Sequence, residues 1–66
     1  MTQKTFAMNL KALRTARGLT QVELAKKLKV KQPYVAQLES GQYDPSLSTL
    51  TKLAEALKVT VAELVE

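Results

Sequence analysis

Apolar residues recur along this chain at the three- and four-residue spacing of a helix, and no stretch alternates as a half-buried strand would. Phe6, Leu10, Leu13 and Arg17 fall four, three and four apart, which predicts an amphipathic first helix from Thr5 to Ala16, closed by Gly18 as a left-handed cap. Thr20 with Glu23 three residues on has the form of a capping box, in which the hydroxyl accepts from the amide of Glu23 while that carboxylate reaches back. A second helix, Gln21 to Leu28, follows. It stops near Lys29, because Leu28 and Val30 would otherwise point to different faces and Pro33 is tolerated only in a first turn. The third helix runs from about Gln32 to Ser40, burying Val35 and Leu38, and Gly41 ends it. Beyond the loop "GQYDP", Ser46 caps a fourth helix from Leu47 to Leu57, whose Leu47, Leu50, Leu53, Ala54 and Leu57 form one apolar stripe. Thr60 with Glu63 makes a second capping box and opens a short last helix. The expectation is an all-α bundle of five helices around one core, a single domain over residues 1–66.

Length makes that core small. A chain of 66 residues buries only roughly 60% of its unfolded surface, so its stability is modest. There is no cysteine and no histidine, which excludes disulfides and leaves a metal only carboxylates; no metal and no cofactor is expected. Uninterrupted apolar runs such as Phe6 to Met8 are far below the ~20 residues that span a bilayer, so no membrane association is expected and the location expected is cytoplasmic. The acid-base groups are scattered carboxylates, lysines and two tyrosines without a glycine-rich phosphate loop, which argues against an enzyme.

Charge changes the picture more than size does. Ten Lys and Arg against six Asp and Glu give a net charge of +4, which favours an anionic partner. Leu24 to Leu38 carries four lysines and no acid, while Gln32, Tyr34 and Gln37 stand where a solvated helix would intersperse both charge signs. Two segments echo each other, "AKKLKVK" from Ala25 and "AEALKVT" from Ala54, each a helix end, a tight turn and a helix start. A tight corner between two helices requires a small residue at the contact, apolar residues facing inward on both sides, and a residue that tolerates positive φ at the bend. Leu24, Ala25, Leu28, Val30, Val35 and Leu38 meet that demand; Lys29, at the bend, carries strain on the order of 1 kcal/mol.

With these features the stretch from Asn9 to Leu64 resembles the phage-repressor and Cro-type helix-turn-helix family. The resemblance rests on the Arg before the first glycine, "LTQVELA", the Glu-Ser-Gly close of the third helix, "DPSLSTL" and "KVTVAEL". It implies a lambda-repressor-like five-helix fold and sequence-specific binding of double-stranded DNA by a homodimer, as a small transcriptional regulator, most simply a repressor, with the third helix in the major groove. Residue by residue it places Gln32, Tyr34 and Gln37 toward base edges and gives Gln21 a place at a phosphate. A glutamine amide matches the N6 and N7 edge of adenine, and a helix start favours a phosphate. Arg14 and Glu39 fall where the family places an internal ion pair.

Other readings of the same side chains stay open. Gln32 and Gln37 also suit an ordinary solvated face, and Tyr34 also suits packing over lysine stems or a phosphate contact through its hydroxyl. Lys31 departs from the family, which caps this helix with serine or threonine; its cation beside a positive helix end makes sense next to a phosphate. Ser40, Gln42 and Tyr43 follow the third helix as phosphate donors, Tyr43 alternatively as a lid on the core. Val61, Leu64 and Val65, on a helix too short to bury both faces, are candidates for a dimer patch or for the core. The competing function is a protein-interaction module that keeps the fold, such as the partner that neutralises a toxin.

Overall fold

The computed structural model describes residues 3–66. Five helices follow in order: α1 (Gln3–Ala16), α2 (Gln21–Leu28), α3 (Gln32–Glu39), α4 (Leu47–Leu57) and α5 (Val61–Val65). There is no strand among the described residues. The helix starts are built as their sequences dictate. Thr20 accepts from Glu23 N at 3.1 Å and the Glu23 carboxylate takes Thr20 N at 2.9 Å, closing the capping box on α2. Ser46 accepts from Thr49 N at the start of α4. At α5 only the hydroxyl half is formed, Thr60 accepting from Glu63 N. Lys31 holds the N-cap of α3 with no side-chain hydrogen bond.

Three helix ends use one device. Gly18 (φ 70°), Lys29 (φ 60°) and Lys58 (φ 58°) adopt the left-handed conformation. In each case the next residue's amide returns to a carbonyl five residues back: Leu19 to Arg14 O, Val30 to Ala25 O and Val59 to Ala54 O, at 3.0–3.1 Å. The two echoing segments therefore fold as the same corner, with lysine in the left-handed position of both. Lys29 and Lys58 are the non-glycine residues with positive φ among those described.

Phe6 and Leu10 of α1, Leu24 of α2, Val35 and Leu38 of α3, Leu53 and Leu57 of α4, and Leu64 of α5 are fully buried together, so every helix contributes to one core. Polar side chains tie the helix ends across it. Asn9 donates to Leu64 O at 3.0 Å. Arg17 lies past the end of α1 instead of on its apolar face, and its Nε donates to Leu57 O at 2.8 Å, where a cation complements the negative end of α4.

Two further expectations are corrected. Leu47 does not join the apolar stripe of α4: it is 74% exposed, because the first turn of that helix extends past the core that begins at Leu50. Leu64 is wholly buried, so it belongs to the core and not to an accessible dimer patch; Val61 and Val65 are half-buried against it. A five-residue helix needs such an anchor, since burying one leucine contributes about 1.5–3 kcal/mol and α5 is too short to be stable alone.

Candidate nucleic-acid interface

Arg14, Glu39, Gln21 and Gln32 are remote in sequence and adjacent in space. The Arg14 guanidinium forks onto Glu39, Nε to Oε2 at 2.5 Å and Nη2 to Oε1 at 3.1 Å, while Nη1 donates to Leu19 O at 2.7 Å. The bidentate bond to Glu39 holds the guanidinium even more firmly protonated than usual, against the opposing effect of burial. Gln21 Nε2 donates to Glu39 Oε1 at 3.1 Å, and Gln32 Nε2 donates to Gln21 Oε1 at 2.6 Å.

The direction of this relay follows from its first member. An ionised carboxylate can only accept, so Gln21 must turn its NH2 toward Glu39 and its oxygen toward α3. That oxygen in turn requires the NH2 of Gln32. The ion pair thus sets the amide orientation of a residue at the first position of α3. One N–H of Gln32 is used; its oxygen and second N–H remain, in one plane, at the helix start.

The remaining candidates are dispersed around that point. Gln37 is half-exposed about one and a half turns along α3, and its amide makes no hydrogen bond among the described residues. Tyr34 packs its ring against the core and its hydroxyl lies 3.3 Å from Thr49 Oγ1, tying α3 to α4. Gln21 has both ends of its side chain engaged, one N–H on Glu39 and its oxygen on Gln32, which leaves its second N–H beside the main-chain amides at the start of α2. Ser40 directs its proton to Gln37 O at 2.7 Å. Lys31, Gln42 and Tyr43 are exposed, so Tyr43 is no lid on the core.

Sequence reasoning assigned Gln21 and Gln32 separately and did not pair them. The signal was present: each glutamine opens a helix immediately after its N-cap, at matching positions of the two helices joined by the corner. Arg17 was missed as a cap because its partner carbonyl is 40 residues away. Among the described residues no group of acids, histidines or cysteines is placed to hold a metal, and no helix is long and apolar enough to cross a membrane.

The chain is 44% identical over 61 residues to the immunity repressor protein of Bacillus phage phi105, covering 92% of this chain and 42% of the repressor, so it spans less than half of that relative's length. It is 40% identical over 63 residues to an uncharacterized HTH-type transcriptional regulator of Sinorhizobium fredii, covering 96% of this chain and 82% of that protein. The crystal structure of the restriction-modification controller protein C.AhdI from Aeromonas hydrophila superposes with a TM-score of 0.88 at 40% identity, covering 94% of both chains. The Helix-turn-helix family profile matches residues 10–64, the stretch that holds all three left-handed corners and the whole Arg14–Glu39–Gln21–Gln32 relay, and the chain belongs to that helix-turn-helix family.

Proposed function

We propose that this chain is a sequence-specific DNA-binding transcriptional regulator that places α3 in the major groove of double-stranded DNA. The observation that carries the reading is the oriented Gln32 amide. With one N–H held by Gln21, the free oxygen and second N–H match the N6 donor and N7 acceptor of adenine. Gln37 is the second reader, and Tyr34 acts by fixing α3 against α4.

Lys31 at the uncapped start of α3 serves as the main phosphate contact, with the first-turn amides of α2, Gln42 and Tyr43 beside it. Two copies act as a homodimer on a two-fold operator. Cα extents of 26 × 22 × 20 Å let abutting copies, once side chains are added, present their α3 helices close to the ~34 Å turn of B-DNA. Val61 and Val65 are the accessible part of the C-terminal patch for that contact. Repression is the regulatory sense proposed, after the phage immunity repressor relative.

Gel shifts on duplex at two salt concentrations test the first step: binding weakens steeply with salt as counterions are released. Absence of salt-sensitive binding at low ionic strength overturns the proposal. Selection of sites from random duplex then yields the half-site and its spacing. Gln37→Ala relaxes preference at one position, whereas Lys31→Ala weakens all sites alike; equal weakening of every sequence by both removes the assignment of Gln37 as a reader.

A further inference from the structure

The strained lysines of the two corners open onto one groove. It has a volume of about 640 Å³ and runs between the C-terminal end of α2 and the C-terminal half of α4. Its rim carries Lys27, Lys29, Lys52 and Lys58, all exposed, and its floor is Leu28, Val30 and Ala56, buried or half-buried. Glu55 is the one acid in the lining. Past Lys52 the groove continues into a smaller trough bounded by Tyr34 and Thr49.

Three properties separate this groove from the DNA-reading surface. None of Gln32, Gln37, Lys31, Gln42 or Tyr43 lines it. Its floor is apolar, which a track for phosphates does not require. Both of its corner lysines hold a backbone conformation that glycine would adopt more cheaply, at a cost of about 1 kcal/mol each, and backbone strain of this kind gathers at functional sites. Four lysines against the one acid Glu55 leave the lining net positive, and the apolar floor beneath them favours an anion that also carries apolar side chains.

We propose that this groove docks an acidic, amphipathic segment of a partner protein, whose carboxylates meet Lys27, Lys29, Lys52 and Lys58 while leucine-like side chains seat on Leu28, Val30 and Ala56. An open trough on the protein surface suits a helical turn or extended peptide laid along it, whereas a small ligand would require fuller enclosure. The docking is separate from the DNA reading. Either one stands if the other fails.

The test is an NMR titration of the 15N-labelled full chain with synthetic peptides of about twelve residues, in which Asp and Glu flank leucines at i and i+4 spacing. This peptide should move the amides of residues 27–30 and 52–58, and replacing its leucines by serine at constant charge should weaken binding by about tenfold. The double variant Lys52→Glu/Lys58→Glu should lose peptide binding by at least about tenfold while its binding to duplex keeps the same salt slope. Equal binding of the serine peptide, shifts confined to α3, or no shifts at millimolar peptide each overturn the docking. If duplex DNA moves the groove amides and displaces the peptide, the groove is a phosphate track and the proposal is likewise overturned.

Discussion

Removing Arg14 should cost this protein more than any surface charge, and the structure sets the scale. The Glu39 side chain is 4% exposed and that of Arg14 10%, so Arg14→Met leaves a carboxylate with little access to water and only Gln21 as a donor. Breaking one side of a buried pair costs about 3–5 kcal/mol. The pair lies shallow in a small molecule, which places the expectation near 3 kcal/mol at the lower end of that range. Leu19 O also loses its donor, at roughly 1 kcal/mol more. A 66-residue domain has a total stability of roughly 3–10 kcal/mol, so the single variant should lose from about two fifths of it to all of it.

Glu39→Met should cost a similar amount by stranding the cation. The double variant Arg14→Met/Glu39→Met removes both charges together and should be more stable than additive losses predict, by at least about 2 kcal/mol. Urea unfolding of the four proteins, followed by far-UV circular dichroism, measures the cycle. Marginal singles can be brought into range with a stabilising osmolyte applied equally to all four. A coupling below about 0.5 kcal/mol, or a single variant losing less than about 1 kcal/mol, would refute the argument that burial makes this pair matter.

Other expectations are more local. Lys29→Gly and Lys58→Gly each exchange a left-handed penalty of about 1–2 kcal/mol for glycine's greater unfolded entropy of about 0.5–1, a net gain of roughly 0.5 kcal/mol or a few degrees in Tm; a drop in Tm for both would show that the corners are not strained. The capping box, first through the Thr20 amide and then through its hydroxyl, holds the Glu23 carboxyl below its ordinary value of 4.5. Its stabilisation is therefore complete at neutral pH and lost as acid protonates the folded state, so Glu23→Gln should lower stability at neutral pH while leaving the acid limb little changed, flattening that part of the acid unfolding curve. Leu64→Ala should cost about 2–5 kcal/mol, measured by urea unfolding, because the side chain is fully buried and anchors α5; a loss under about 1 kcal/mol would return Leu64 to the surface.

The helices were legible because their signals are short-range. Thr20 and Glu23, Ser46, Pro33, Gly18 and Gly41 act on backbone within a few residues of themselves, and three- and four-residue spacing marks which face turns inward. For the same reason the left-handed bend at Lys29 could be read from the shape of the corner before any coordinates. Leu47 escaped that logic: periodicity places it on the buried face of α4, but only the extent of the neighbouring helices decides where the core ends. Leu64 escaped it in the opposite direction, since a short amphipathic helix looks half-exposed until the cavity left by α1 and α4 receives it.

The candidate site divides in the same way. Its glutamines and its place at the start of a third helix were in the sequence; the relay that orients Gln32, the turn of Tyr34 toward Thr49 and the placing of Lys29 and Lys58 on one groove were not. Local sequence determines how the backbone starts, bends and stops, because those interactions close within a turn or two. Which side chains then share a proton or a charge depends on distances between residues 11 to 55 positions apart, and only the packed core brings those together.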